Sequence, residues 1–194
     1  MKVNLMIGIP SWLDRICAWP VMIYRRLKYG YPFRRIYLGE GECTILDPVD
    51  YYRFGHFKWH VSGNNGKFYA VRTYKVDANT TSIRRLHRDI MNAQPGVLID
   101  HRNGNSFDNR QDNLRPATST QNGYNKRKRK NASSQYIGVS YDKNYKQWVA
   151  QISYDGKLHW LGRFKNEQDA ARAYDDASKK YHLEFKRSNF PEQS

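Results

Sequence analysis

Hydrophobic and polar residues alternate along three short segments late in the chain, residues 136–141, 147–154 and 158–164. Such alternation predicts β-strands that bury one face, and an Asp-Gly pair between the second and third segments predicts a tight turn. From 166 to 181 the apolar positions change to helical spacing, with alanines and tyrosines along one face. The pattern predicts a small, complete unit of three antiparallel strands and one helix.

A less regular series of elements precedes this unit. The series comprises strands at 36–38 and 43–46, a helical turn over 47–57, a hairpin of strands 58–61 and 67–74, and a helix over 81–91. The helix is predicted because the apolar residues Ile83, Leu86 and Ile90 recur at helical intervals. These elements predict a mixed α and β domain ahead of the C-terminal unit.

The first 36 residues combine aromatic and basic side chains. Residues 11–28 predict a helix with Ser11 as its N-cap, and Pro20 is expected to kink that helix or end it. We interpret residues 1–36 as a basic, aromatic arm that lies along a phosphate backbone. The alternative is a segment that only packs on the next domain.

Composition adds a strong charge signal. The chain has 33 Lys and Arg against 18 Asp and Glu, a formal net charge of +15. Such a field attracts polyanions, so nucleic acid is the leading partner and an anionic membrane surface is the alternative. The membrane is disfavoured because no apolar run approaches the roughly 20 residues that span a bilayer. The two cysteines, Cys17 and Cys43, form no CxxC pair and predict neither a zinc ribbon nor a disulfide framework.

Five consecutive positive charges precede a stretch of small polar residues. This composition is typical of a linker, which we assign to residues 126–134. In a protein this basic, the same side chains are also predicted to contact phosphate. They are Lys126, Arg127, Lys128, Arg129 and Lys130.

One polar segment, residues 97–125, carries the candidate chemistry. A strand is predicted at 97–99, and it is followed at once by Asp100 and His101. A loop rich in Asn and Gly comes next, and a second strand is predicted to begin at Asn113. One acid, one imidazole and several amides are therefore expected to converge at the end of the first strand.

A helix is predicted to follow, because Thr118 and Gln121 have the spacing of a capping box, which puts Asn122 in the first turns. Phosphodiester hydrolysis needs an activated water, stabilisation of charge on the phosphate, and help for the leaving oxygen. A neutral His accepts a proton from water near pH 7, and Asp and Asn oxygens are ligands for a hard divalent ion. The segment therefore contains the residue types that this reaction requires.

The order Asp-His, Asn-Gly-Asn, Asp-Asn-Leu-Arg and a later Asn resembles the HNH nucleases, specifically the asparagine-rich branch of phage and intron homing endonucleases. The resemblance implies a β-β-α metal fold in which Asp100 and Asn122 bind one Mg²⁺ or Mn²⁺ ion per active site. It implies that His101 is the general base and that Asn113 holds the His-bearing loop. His87, in a Leu-His-Arg element upstream, is assigned a structural or DNA-contact role.

Residues 135–191 resemble the ethylene-response-factor (AP-two type) DNA-binding domain, on segments such as Tyr-Ile-Gly-Val, Gln-Trp-Val-Ala-Gln-Ile and His-Trp-Leu-Gly-Arg-Phe. The resemblance implies a three-stranded sheet in the major groove with a helix behind it. Alternation turns Trp148, Ala150 and Ile152 toward that helix. The predicted DNA contacts of this domain are Tyr141, Lys143, Tyr145, Gln147, Gln151, Ser153, Trp160 and Arg163.

The C-terminal segment also departs from the plant pattern. Ser140, Ser153 and Leu158 stand where the plant domains have arginines that read guanine, and Gln151 replaces an acidic strand residue. The fold is therefore expected to carry over, whereas a plant-type target sequence is not. We expect a different or looser specificity.

Together these features predict an α+β protein in four parts. The parts are an arm at 1–36, an HNH nuclease domain at 37–125 with its metal core at 97–125, the linker at 126–134, and the DNA-binding domain at 135–192. The expected function is that of a metal-dependent DNA endonuclease, a site-directed nicking or homing enzyme of a mobile element. The alternatives are a DNA-binding regulator with a catalytically silent HNH module and, less strongly, a protein that binds structured RNA.

The expected partner is double-stranded DNA, with no membrane and no small-molecule cofactor, and the oligomeric state stays open between monomer and homodimer. The expected setting is the cytoplasm of a bacterium, with the protein encoded by the bacterium or a phage and associated with the nucleoid when bound.

Overall fold

The computed structural model describes residues 11–64, 66–124 and 133–190. The chain divides into two compact units. Unit one contains the chain up to Ala93 together with Asn105–Leu114, and unit two contains Gln94–Gly104 together with the chain from Arg115 onward. The division runs through the polar segment 97–125. The linker predicted at 126–134 falls largely outside the described residues, as do its five basic side chains.

Unit one begins with a helix and a hairpin. Helix α1 spans Ser11–Tyr29 and continues through Pro20, so the proline does not end it. Strands β1 (Arg34–Gly39) and β2 (Glu42–Leu46) pair antiparallel, and α2 follows at Pro48–Phe54. The sequence predicted these two strands and the helical turn after them, but not that the strands pair with each other. The buried apolar side chains of the hairpin are Ile36, Leu38 and Leu46, and Phe33, just before β1, is buried as well.

A second sheet of unit one corrects one prediction. Its strands are β3 (His60–Asn64), β4 (Lys67–Lys75) and β5 (Thr81–Arg85), in that order. The helix predicted over 81–91 is therefore wrong in its first half, and only α3, Leu86–Ile90, is helical. Pairing with β4 overrides the local spacing of apolar residues, and Ile83, which suggested the helix, is 57% exposed.

The polar segment folds in the predicted order. Strands β6 (Leu98–His101) and β7 (Leu114–Ala117) form a two-stranded sheet, and α4 follows at Ser119–Tyr124. The predicted capping box is confirmed. The backbone N–H of Thr118 donates to Gln121 Oε1 at 2.9 Å, and the Gln121 N–H donates to Thr118 Oγ1 at 3.1 Å.

The C-terminal part of unit two is the most regular region of the protein. Strands β8 (Val139–Asp142), β9 (Gln147–Tyr154) and β10 (Lys157–Phe164) form an antiparallel sheet with β9 in the centre. Helix α5 (Glu167–Tyr181) covers one face, and a 3₁₀ turn, Leu183–Phe185, follows it. Three strands and a helix were predicted here. The first strand starts later than expected because residues 133–138 form bends and a turn.

Side chains between the sheet and α5 make the core of this region. Ala150 and Ile152 are buried as the alternation predicted, and Trp148 packs at the edge of the same cluster. Gly138 has φ +74°, and a Cβ there would lie 2.0 Å from the Tyr174 ring. A glycine is required at this position because no side chain fits between the turn and the helix.

The fold as a whole mixes α-helices with antiparallel sheets. Within the part of the chain that the structure describes, none of the helices combines the length and apolar content needed to cross a bilayer.

Candidate functional site

The face of the C-terminal sheet away from α5 is open and carries polar and aromatic side chains. The register pairs Trp160 with Gln151 and Leu158 with Ser153, so these four residues share one face. Trp160 is 60% exposed, although large aromatic side chains usually find cover. The structure therefore brings several of the predicted DNA contacts onto one exposed surface.

A cation extends this surface toward the turn between β8 and β9. The guanidinium of Arg163 lies 4.0 Å from the ring centre of Tyr145 and 5.9 Å from that of Trp160. Its Nη2 also forms a 3.4 Å ion pair with Asp142. These contacts hold the charge over the aromatic rings, where it is available to a phosphate or a base edge. Lys143, in the same turn, is exposed.

Two residues predicted to contact DNA are placed elsewhere. Tyr141 pairs with Trp148 in register, so it lies on the face that α5 covers, and its ring contacts Trp148 at 4.9 Å. His87 is buried in unit one with its ring 5.3 Å from that of Tyr69. This placement matches the structural role considered for His87 rather than a DNA contact.

In the polar segment of unit two, the carboxylate of Asp100 is held by an arginine. Arg115 Nε and Nη2 both donate to Asp100 Oδ2, at 3.0 and 2.8 Å. Both side chains are almost completely buried, at 5% and 7% exposed. A buried charge needs a partner of this kind, because desolvation of an unpaired carboxylate is strongly unfavourable.

The other predicted members of the site in unit two are His101 and Asn122. His101, directly after Asp100 at the end of β6, is 5% exposed, which excludes a freely solvated imidazole in this state. Asn122 is half-buried on α4, which packs beside β6. The backbone N–H of Asn122 donates to the Thr118 carbonyl at 2.9 Å, so the helical hydrogen bond fixes the backbone position of Asn122.

The donor chemistry fits a hard divalent ion, since Asp100 and Asn122 offer oxygen ligands. Across the described ranges 11–64, 66–124 and 133–190, no group of three or more His, Cys, Asp or Glu side chains is arranged to hold a metal ion. An ion here would therefore depend on one carboxylate supplemented by amide oxygen and water. Arg115 would lie next to it as a second positive charge.

The fourth predicted residue, Asn113, belongs to unit one. Its Nδ2 donates to the Asp108 carbonyl at 2.7 Å, within the loop that follows His101 in the chain. This bond is consistent with the role of holding the loop, which stays a prediction.

The same loop contains a buried polar network that the sequence did not single out. Asn109 is fully buried, and its Nδ2 donates to Thr44 Oγ1 at 2.7 Å. The hydroxyl of Thr44 donates to the Phe107 carbonyl at 2.8 Å, and Ile45 forms a parallel bridge with Asp108. The loop thus adds to the edge of β2. In the sequence, this network is signalled only by the Asn-rich composition of the loop. The same composition is equally typical of an exposed surface loop.

The sheet, the covering helix and the exposed aromatic face have a counterpart in a known domain family. Residues 134–182 match the AP2 domain. The AP2 match covers strands β8–β10 and helix α5, about a quarter of the chain, and it assigns DNA binding to this region. It agrees with the AP-two resemblance of the sequence and ends just before the turn at Leu183–Phe185.

A relative of the chain occurs in a bacteriophage. Protein 3.8 of Escherichia phage T7 is 34% identical over 64 residues, which make up 33% of this chain and 53% of the phage protein. The chain therefore spans about half the length of this relative. No solved structure matches the chain.

Proposed function

We propose that the protein is a metal-dependent DNA endonuclease of HNH type, in which the AP2 domain binds the duplex and the β6–β7–α4 segment hydrolyses one phosphodiester bond. One observation carries this proposal. Asp100, His101 and Asn122 are supplied by the end of one strand and the first turns of the following helix, in the same compact unit as the AP2 domain.

In this proposal His101 accepts a proton from water, the resulting hydroxide attacks phosphorus, and the 3′ oxygen leaves. Oxygens of Asp100 and Asn122 would hold one Mg²⁺ or Mn²⁺ ion, which would stabilise charge on the phosphate and on the leaving oxygen. Asn113 keeps the loop after His101 in place through Asp108. The net charge of +15 draws the duplex to the protein.

The narrower proposal is a nicking or homing enzyme from a mobile element, and the occurrence of a relative in a bacteriophage supports the mobile-element origin. The AP2 sheet would choose the site, and each protomer would cut one strand. The serine and leucine residues in place of guanine-reading arginines support a target different from that of the plant domains.

Supercoiled plasmid incubated with the full chain and Mg²⁺ or Mn²⁺ tests the proposal. We expect open-circle product from the wild type and at least about 100-fold less from His101→Ala, because a general base contributes roughly 10²–10⁴ in rate. His56→Ala, which removes an exposed imidazole of unit one, is the matched control and is expected to cut normally.

Since His101 is buried, thermal melting and DNA binding without metal must show that the His101→Ala variant is folded. Binding of plasmid without any nick, in either metal, would overturn the nuclease proposal.

The second candidate is a DNA-binding regulator with a silent HNH module. The Asp100–Arg115 ion pair and the burial of His101 favour this candidate, because they surround the site with internal partners. The regulator hypothesis predicts the same affinity for DNA with and without metal, and no nicked plasmid at any metal concentration. Competition between duplex DNA and structured RNA at a stated salt concentration addresses the RNA alternative.

A further inference from the structure

Arg115 connects two parts of unit two that are far apart in the sequence. Its Nε and Nη2 donate to Asp100 Oδ2, and its Nη1 donates to the backbone carbonyl of Glu184, 69 residues further along the chain. The guanidinium carbon also lies 3.7 Å from the ring centre of Phe185. One side chain thus joins the end of β6 to the turn after α5.

These contacts hold the guanidinium of Arg115 at two edges and on one face. Two donors on one oxygen of Asp100 set its distance and plane, the bond to Glu184 fixes the opposite side, and the ring of Phe185 supports one face. Phe185 is itself buried. A lysine at position 115 would keep the charge but could offer neither the planar fork nor the stacking.

We propose that Arg115 is a positioning residue for the Asp100 carboxylate, and that the turn Leu183–Phe185 is a structural part of the candidate nuclease site. The inference rests on the proposed function, which makes Asp100 a metal ligand. The turn begins one residue after the AP2 match ends. A segment that directly follows the AP2 match therefore sets the orientation of a ligand in the cleavage site.

A second contact on the same turn supplies a control. Arg102 Nη1 pairs with Glu184 Oε2 at 3.2 Å, but both side chains are largely exposed, at 45% and 59%. An exposed pair of this kind contributes little, because solvent screens it. Arg102→Lys changes the same residue type beside the same turn and leaves the Arg115–Asp100 pair unaltered in sequence.

The test compares Arg115→Lys, Phe185→Leu and Arg102→Lys with the wild-type chain. Each is assayed for the single-turnover nicking rate, the DNA concentration at half-saturation, and the dissociation constant of Mn²⁺ measured by electron paramagnetic resonance. We expect the nicking rate to fall at least 10-fold in Arg115→Lys and about 3- to 10-fold in Phe185→Leu, with half-saturation within twofold of wild type. Mn²⁺ binding weakens in both variants, and Arg102→Lys stays within twofold in every measurement.

Wild-type rates and Mn²⁺ affinity in Arg115→Lys and Phe185→Leu would overturn the inference. A rate loss that follows only the folded fraction in thermal melts would also overturn it, because a merely structural role predicts that result. A wild type that makes no nick refutes the proposed function, and Mn²⁺ binding then decides this inference alone. Weaker binding in both variants upholds the inference, whereas unchanged binding, or none by the wild type, overturns it.

Discussion

The AP2 domain and residues 100–115 of the polar segment differ in where their predicted functional side chains lie. In the AP2 domain the buried side chains are mainly apolar, and predicted DNA contacts such as Trp160 and Arg163 are exposed. Among residues 100–115 the side chains predicted to act, Asp100, His101 and Asn113, are themselves buried, and Asp100 is paired with the buried Arg115. Substitutions on the outer face of the AP2 sheet are therefore expected to change binding without loss of the fold, whereas substitutions among the buried residues 100–115 are expected to lower stability.

The largest effect is expected inside the AP2 domain, at Gly138→Ala. The new Cβ would lie 2.0 Å from the Tyr174 ring and 2.7 Å from the Gln151 carbonyl, at φ +74°. We expect a loss of about 3 kcal/mol or more in the free energy of unfolding, since clash and backbone strain add. Urea denaturation followed by tryptophan fluorescence measures it.

Gly156→Ala is the matched control, because that glycine has φ +71° and no atom within 4 Å of the added Cβ. Only the backbone strain applies there, and a loss of about 1 kcal/mol is expected. Equal losses at the two glycines would show that packing against α5 does not restrict position 138.

The next effect is expected in the polar network of unit one, at Asn109→Ala. Removing the amide takes a hydrogen bond from Thr44 Oγ1 in a fully buried site, and about 1–3 kcal/mol of stability should be lost. Asn79→Ala, at an exposed turn, should change stability by less than about 0.5 kcal/mol. An unchanged free energy of unfolding in Asn109→Ala would mean that the buried network does not stabilise the fold. The difference in burial between the AP2 domain and the polar segment would then have no effect on stability.

A smaller effect, confined to binding, is expected for Trp160→Ala on the outer face of the AP2 sheet. We expect about a 10-fold loss of affinity for duplex DNA, equivalent to about 1.4 kcal/mol, with an unchanged melting temperature because the ring is exposed. Tyr37→Ala removes another exposed aromatic ring, in unit one, and should bind DNA normally. Fluorescence anisotropy at a fixed salt concentration measures the affinity of each variant for duplex DNA. A lower melting temperature of Trp160→Ala without loss of affinity would refute the assignment of Trp160 to DNA binding.

The smallest effect concerns pH. His182 stacks on Tyr124 at 3.8 Å, and its Nε2–H donates to the Ser153 carbonyl at 2.9 Å. Its Nδ1 is buried with no hydrogen-bond partner among the described residues. Burial lowers the pKa of His182, and it outweighs the Ser153 carbonyl, which raises that pKa.

In the unfolded chain His182 binds a proton below about pH 6.5, whereas in the folded state its lowered pKa disfavours protonation. The free energy of unfolding is therefore expected to fall as the pH decreases below that value. Melting temperatures between pH 8 and pH 5 should decline less steeply for His182→Phe than for the wild type. Identical slopes would contradict this assignment.

Elements that depend on local pattern could be predicted from the sequence. The strands and the helix of the AP2 domain follow from alternation, an Asp-Gly turn and an apolar helix face, and the start of α4 follows from the Thr118–Gln121 capping box. Residues 81–85 were not predicted correctly, because their apolar spacing suggests a helix and does not reveal that they pair with β4. Nor did the sequence show that Tyr141 pairs in register with Trp148, on the face that α5 covers.

The amino-acid sequence by itself determined the basic charge, the AP2 domain and the presence of Asp100, His101, Asn113 and Asn122 in the order that suggests a nuclease. Only the tertiary structure decided that Asp100 is paired with Arg115 and that Arg115 is supported by Phe185. The physical reason is distance along the chain. Periodicity and capping act over a few residues, whereas a buried carboxylate takes whichever partner the folded chain brings to it.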